Sequence, residues 1–343
     1  MRISSPFVRF VLPVVLSAAA SVAFVRSAFL TPFFLVPIAL LGFLSDGEEH
    51  PSRILLAAIV SVAIHSAISV PLFGWAGQSP FILMADIAYF AAATLAFAWA
   101  VAPSGPFGGQ RAIRRAYRYV LAAVVAALST LPLILLASRD ATVVALFRSQ
   151  AEALTRLYAE AAGPDVVARS LLERSIDVDS ILEAAKFGYT RGIAIGGHAL
   201  LFVFSARMAL VFASFRNRSL RAQSSFITFR NDFRLVWVLS SALALVLLGK
   251  VSGAELLEIV AWNALVLCGI LYLAQGFGVV QYNLMRPGVP RFIAPLATFA
   301  LILSVFSGIN AFVAAAIMVV GVAENWLPLR APIAIEPPST PGA

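Results

Sequence analysis

Long apolar runs alternate with short polar gaps along this chain from about residue 8 to residue 322. A helix needs about 20 apolar residues to cross roughly 30 Å of hydrocarbon, and most of the runs reach that length. The pattern therefore predicts an all-α, polytopic transmembrane bundle of nine spans, with eight or ten as the alternatives. The predicted spans are 9–25, 29–45, 54–73, 80–102, 117–137, 188–214, 235–250, 256–283 and 293–322.

The span count depends on the two ends of the pattern. The second run contains Pro32 and Pro37, and proline removes a helical hydrogen bond and kinks the helix. The first two runs are therefore either two full crossings or a pair of shallow, broken helices. The last run is longer than a bilayer requires, so we expect it to tilt, to protrude, or to break at Ser307-Gly308.

Arginines gather in every second gap, which predicts the orientation. They lie before the first span, after the second, and between spans four and five, six and seven, and eight and nine. The positive-inside rule then places the N-terminus in the cytoplasm, and an odd span count places the C-terminus outside. The alternative for the start of the chain is a cleaved signal peptide, with Arg2 and Arg9 ahead of an apolar stretch and the small residues 17–23.

Residues 139–187 form the long hydrophilic segment of the chain and contain eight of its 17 acidic residues. Alternating charges spaced four residues apart line one helix face and apolar residues line another, so we expect an extracytoplasmic amphipathic helical hairpin between spans five and six. It is either a cap packed on the membrane domain, or a lid or docking surface. We assign residues 1–330 to one polytopic membrane domain and residues 331–343 to a disordered Pro-rich tail.

Composition narrows the class of protein. The chain is 61% hydrophobic and 12% charged, whereas soluble domains are about 25% charged, so lipid is its solvent and its first partner. The net charge of +8 flanks apolar spans, so it indicates topology and not a nucleic-acid partner. The single Cys268 and three histidines, without nucleotide-binding or hydrolase motifs, predict no enzyme, no cofactor and no protein-built metal site.

Polar and ionisable residues inside the predicted spans are the candidate functional residues, because they are costly in hydrocarbon. For His65 and His198 the alternatives are a neutral imidazole bonded between helices and a ligand or proton relay. Arg191 and His198 are seven residues apart, which places them on one face of a continuous helix. The candidate ligand-binding set is Asp86, Arg191, His198, Asn263, Gln275 and Asn310.

The C-terminal third carries more specific motifs. One span contains Asn263 and then Leu271-Tyr272-Leu273-Ala274-Gln275-Gly276, and the last apolar run leads into Gly321, Glu324, Trp326 and Arg330. Together with a proline-rich early segment at residues 30–42, this order resembles the YybS-like (DUF2232) family of bacterial membrane proteins. Family members usually carry Asp where this chain has Glu324. The closing motif is either an ion pair with Arg330 or an interfacial anchor built on Trp326 and a surface ion pair.

The resemblance leads to two functional hypotheses. The family is similar in architecture to the substrate-binding subunits of energy-coupling-factor vitamin transporters, which implies a helical bundle with an outward-facing small-molecule cavity. On this hypothesis Asp86, His198, Asn263 and Gln275 line a pocket of a transport-related subunit that works with protein partners. The alternative is a non-transporting membrane scaffold that docks envelope or cytoplasmic partners through the hairpin or the arginine-rich loops.

Overall fold

The computed structural model describes residues 6–27, 29–44, 51–75, 79–102, 115–137, 139–161, 178–217, 220, 226–285 and 311–330, and within them every regular element is helical. The 3-10 turn Thr31–Phe33 and the π-helical turn Tyr189–Ile193 join longer elements. The α-helices, in chain order, are α1 (Pro6–Arg26), α2 (Val36–Leu44), α3 (Pro51–Trp75), α4 (Pro80–Val101), α5 (Arg115–Ala137), α6 (Ala141–Ala161), α7 (Val178–Gly188), α8 (Ala194–Arg216), α9 (Leu235–Ser252), α10 (Glu255–Leu284) and α11 (Ala311–Ala323).

Several helices are long and apolar enough to cross a bilayer. Because hydrocarbon offers the backbone no hydrogen-bond partners, a helix is the form that such a segment takes. The all-α, polytopic membrane class is therefore confirmed, while the count of nine spans stays a prediction. Six helical segments meet the length and hydropathy needed for a crossing, and they are Ser52–Phe73, Pro80–Val101, Tyr117–Leu136, Val178–Arg216, Leu235–Ser252 and Glu255–Leu284. Shorter apolar helices occupy Phe10–Arg26, Thr31–Leu44 and Phe312–Ala323, and residues 293–310 of the predicted last span lie outside the described ranges.

The proline-rich second run is broken, as its sequence predicts. A 3-10 turn that contains Pro32 precedes α2, whose first turn contains Pro37 and which is only 9 residues long. The hydroxyl of Ser21 in α1 donates a hydrogen bond of 2.6 Å to the carbonyl oxygen of Phe34 at the break. A buried backbone group at the break thus has a partner inside the protein.

The described chain divides into two compact units, residues 1–224 with 245–267 and residues 225–244 with 268–343. In the first, α3, α4 and α5 pack in sequence, α1 lies against α3, and α8 lies against α5 and α2. Alanines fill many of these contacts, because small side chains let helices in a membrane approach closely. Fully buried examples are Ala57, Ala58, Ala93, Ala122, Ala126, Ala199 and Ala209. The prediction of one membrane domain over residues 1–330 stays a prediction.

The hydrophilic segment contains two helices, α6 and α7, which contact each other. The backbone N–H of Val143 donates a hydrogen bond of 3.0 Å to the Asp140 carboxylate at the start of α6. Val143 and Ala151 of α6 are buried, while Arg148 is 53% exposed and bonds Asp179 of α7. The two helices are amphipathic, as the charge spacing predicts. Residues 162–177 of the predicted hairpin lie outside the described ranges.

Candidate functional site

Four side chains from three helices meet around one carboxylate, and we call this group the Asp86 centre. It consists of Arg26 of α1, His65 and Ser69 of α3, and Asp86 of α4. The Asp86 Oδ2 accepts hydrogen bonds from His65 Nε2 at 2.9 Å, Ser69 Oγ at 2.8 Å and Arg26 Nη2 at 3.4 Å. Arg26 also donates to the Ser69 hydroxyl. A carboxylate, a cation, a hydroxyl and an imidazole are thus combined within otherwise apolar helices.

Local helix geometry brings these groups together. His65 and Ser69 are four residues apart, so they lie on one face of α3. Ser79 caps α4, because its hydroxyl accepts the N–H of Phe81, and Pro80 occupies the first helical position. Asp86 lies six residues after that start, about 9 Å along the helix axis.

The His65 ring is buried between α3 and α4. Its side chain is 1% exposed, and its ring stacks on Phe90 with 4.1 Å between centroids. Nε2 faces the Asp86 carboxylate, and Nδ1 is buried with no hydrogen-bond partner among the described residues.

Only one of the two oxygens of the Asp86 carboxylate is bonded by the described residues. Arg26 and Asp86 carry opposite charges, and each side chain is 30% exposed. The three protein donors all bond Oδ2, and Oδ1 has no partner among the residues that the structure describes. A carboxylate oxygen offers about two acceptor positions, so the centre can accept further hydrogen bonds from a ligand.

Arg191 joins the start of α8 to α10. Its Nε donates to Glu258 at 3.3 Å, Nη2 lies 3.7 Å from Glu255, and the guanidinium stacks over Phe187 at 4.0 Å. Asn263 donates a hydrogen bond of 2.8 Å to the carbonyl of Thr190 in the same turn. Both side chains therefore satisfy charges and backbone groups of the fold.

The predicted shared face of Arg191 and His198 is wrong. The backbone leaves the helical region at Arg191, with φ −99° and ψ 22°, and at Gly192, with φ +136°. That φ suits glycine, and the break removes the regular rotation of about 100° per residue that the prediction assumed. His198 instead donates from Nδ1 to the carbonyl of Ala194 at 2.7 Å, and its ring lies 5.1 Å from that of Tyr89.

Gln275 and the two family-motif glycines are packing elements of the second unit. Gln275 is 2% exposed, and its Oε1 accepts the backbone N–H of Asn231 at 2.8 Å. A Cβ at Gly276 would collide with the carbonyl of Ile317 in α11, and one at Gly321 with the carbonyl of Tyr272 in α10. Glycine at both positions lets α10 and α11 touch backbone to backbone.

The closing motif forms a buried clamp, which we name the Glu324–Arg330 clamp. Arg330 donates through two nitrogens to both oxygens of Glu324, and the side chains are 2% and 3% exposed. Arg330 also donates to the carbonyls of Ile227 and Phe229, so it ties the last described residues to the segment before α9. The predicted pairing is present, and the alternative of a surface ion pair does not hold. Trp326 itself is 59% exposed, as an interfacial anchor would be.

Among the described candidates, Arg191 and Asn263 meet at one turn, while Asp86 and His198 bond other groups of the first unit. A groove of about 750 Å³ between α4 and α5 is lined by none of them. Asn310 lies outside the described residues. Ser69 and Arg26 were missed as site residues, although the spacing of Ser69 from His65 was a usable signal. Among the described residues, no group of three or more His, Cys, Asp or Glu side chains is placed to hold a metal ion.

Residues 197–323 match the model of a family described as a predicted membrane protein, DUF2232. The predicted resemblance is confirmed over that range, which contains Gln275, Gly276 and Gly321 of the motif. No curated protein and no solved structure matches the chain significantly.

Proposed function

We propose that this protein binds a small polar solute as a transport-related subunit. It is a multi-pass membrane protein whose residues 197–323 match the DUF2232 family. The binding position is the Asp86 centre. The most direct support for this function is the Oδ1 atom of Asp86. No described residue bonds this oxygen, and the Asp86 side chain is 30% exposed.

The cost of such a group favours a functional role. Ionisable side chains within transmembrane helices are costly, and such residues mark solute and ion pathways. Glu324 bonds Arg330 through both of its oxygens. Asp86 uses one.

The other described candidates bond groups of the fold instead. Asn263 and Gln275 bond backbone groups, Arg191 pairs with Glu258, and His198 bonds its own helix. The proposed site is therefore smaller than the sequence predicted, and its solute needs a hydrogen-bond donor or a positive charge to satisfy the free oxygen.

Orientation is part of the proposal. With the N-terminus in the cytoplasm, the end of α1 and the start of α4 lie toward the outside, so the Asp86 centre is reached from there. Cysteine labelling tests this arrangement in a Cys268→Ala background. A cysteine at the exposed Ser149 of α6 should react with an impermeant maleimide in intact cells, and one at the exposed Arg234 should react only after lysis. The reverse pattern inverts the topology.

The solute is tested by native purification and mass spectrometry of the bound small molecules. We expect a compound in the wild-type sample that is lost in Asp86→Asn and retained in Asp179→Asn, which makes the same chemical change in an exposed pair of the hairpin. A compound retained at equal occupancy in both variants would remove Asp86 from the site. If no compound accompanies any sample, the binding function itself fails.

A membrane scaffold is the second candidate function, favoured by the exposed apolar residues of α6. Phe147 is 56% exposed and Leu157 62% exposed. Such residues suit a partner protein or the membrane interface. Replacing both with serine should remove a co-purifying envelope protein if the hairpin is a docking surface. It should leave co-purification unchanged if the hairpin is only a cap.

A further inference from the structure

A groove between α4 and α5 has the form of a site for one acyl chain. It encloses about 750 Å³ and is open on one side. Alanines make its floor on α4, because their short side chains leave room beside the larger residues of α5. It is lined by Ala88, Ala91, Ala92, Leu95, Ala96, Trp99, Leu121, Val125 and Ser129.

The groove has a positive charge at one end. Arg118 of α5 donates from Nη2 to the carbonyl of Trp99 at 3.2 Å and to that of Ala102. Leu121 and Val125 follow Arg118 by three and seven residues, so all three lie on one face of α5. Trp99 lines the groove and also holds the guanidinium, which places the charge beside the groove's end.

The length of the groove matches one leaflet. Ala88 and Trp99 are eleven residues apart on α4, about 16 Å along the helix. One leaflet of a bilayer contributes roughly 15 Å of the 30 Å hydrocarbon core. A chain that fills the groove from Ala88 therefore reaches headgroup depth near Arg118.

We propose that this groove binds an acyl chain of an anionic phospholipid, whose phosphate is held by Arg118. A guanidinium has five N–H donors in a fork that fits phosphate oxygens. Basic pockets between transmembrane helices are a recognised form of anionic-lipid site. The charge at the end of the groove distinguishes this occupant from the helix of a second copy, which would need no cation there.

Trp99 provides a reporter inside the groove. The protein is reconstituted in vesicles of phosphatidylcholine with increasing amounts of brominated-acyl phosphatidylglycerol or, in parallel, brominated-acyl phosphatidylcholine. The Trp99 signal is the fluorescence difference between the wild type and Trp99→Phe. We expect half-maximal quenching at a roughly fivefold lower fraction of brominated phosphatidylglycerol, the selectivity that a single arginine near a membrane surface supplies.

Three variants of the site and one control variant separate its parts. Arg118→Gln should remove the preference for phosphatidylglycerol, and Arg118→Lys should keep much of it, because lysine still attracts phosphate as a point charge. Ala92→Leu should weaken quenching by both lipids, because the leucine occupies the groove. Arg148→Gln, which removes an arginine of the hairpin, should change neither.

Equal quenching by both lipids in the wild type would show ordinary boundary lipid and overturn the proposal. Quenching by neither would mean that a protein segment covers the groove, and would overturn it too. Because Arg118 also bonds the end of α4, helicity and thermal unfolding of Arg118→Gln are measured alongside. If that variant is misfolded, Ala92→Leu decides the outcome: selective quenching that it leaves unchanged would refute the groove as the site.

Discussion

Two of the charged pairs in the described part of this apolar protein differ in how deeply they are buried and in how many of their carboxylate oxygens are bonded. In the Glu324–Arg330 clamp the side chains are 3% and 2% exposed, both carboxylate oxygens are bonded, and the arginine also holds backbone carbonyls. In the Asp86 centre, Asp86 and Arg26 are each 30% exposed, and one carboxylate oxygen has no described partner. The clamp is buried, whereas the Asp86 centre keeps an acceptor position for the solute that we propose it binds.

The largest loss of stability is expected when the Glu324 carboxylate of the clamp is neutralised. Glu324→Gln leaves Arg330 as a buried charge without its partner, and breaking such a pair costs about 3–5 kcal/mol. We expect a large fall in the thermal unfolding temperature, measured by tryptophan fluorescence in detergent. Glu324→Asp, which introduces the residue that is usual in the family, should cost clearly less. A Glu324→Gln protein of wild-type stability would show that the clamp is not structural.

The next largest loss of stability is expected for a substitution at the close contact of α10 and α11. Gly276→Ala places a Cβ against the carbonyl of Ile317, where backbone must shift, and overpacking of this kind costs about 1–3 kcal/mol. Gly197 of α8 is the matched control, because a Cβ there meets nothing within 4 Å. Gly197→Ala should be neutral or slightly stabilising, since alanine is the better helix former. Unfolding in a denaturant series compares the two variants, and equal stabilities would contradict the assigned contact.

The same change of carboxylate to amide in the Asp86 centre should cost little stability. Asp86→Asn retains hydrogen-bonding capacity, and at 30% exposure its pair with Arg26 is worth about 1 kcal/mol or less. We expect an unfolding temperature near that of the wild type together with loss of the co-purified solute. A destabilisation as large as that of Glu324→Gln would make Asp86 a structural residue and remove the distinction between the two regions.

The fold was more accessible from sequence than the site. Apolar runs predicted α3, α4 and α9 within a few residues, because a segment in lipid has helix as its available form. The partners of Asp86 were not predictable, since Arg26 and Ser69 lie on other helices, 60 and 17 positions along the chain from Asp86. Spacing along one helix shows which residues share a face, but not which helices meet.

The break at Gly192 shows a second limit of the sequence. Glycine permits a φ of +136°, but many glycines in this chain have ordinary helical geometry, so its presence did not predict the break. The supporting contacts come from Glu258 and Asn263 in a distant helix. The Gln275 and Glu324 motifs were predictable because they resemble a family pattern. That pattern did not show that they hold the segment before α9.

The smallest effect is expected for the exposed pair of the hairpin, which completes the series. Asp179 is 67% exposed and bonds Arg148, itself 53% exposed, so solvent screens the pair and its worth is about 0.2–1 kcal/mol. Asp179→Asn should therefore lie within a few degrees of the wild-type unfolding temperature and should lose that small difference in high salt. The stability lost when a carboxylate is changed to an amide should then fall as side-chain exposure rises, from Glu324 through Asp86 to Asp179. If Asp179→Asn costs more stability than Asp86→Asn, burial does not govern these pairs, and the openness of Asp86 loses its meaning as a sign of function.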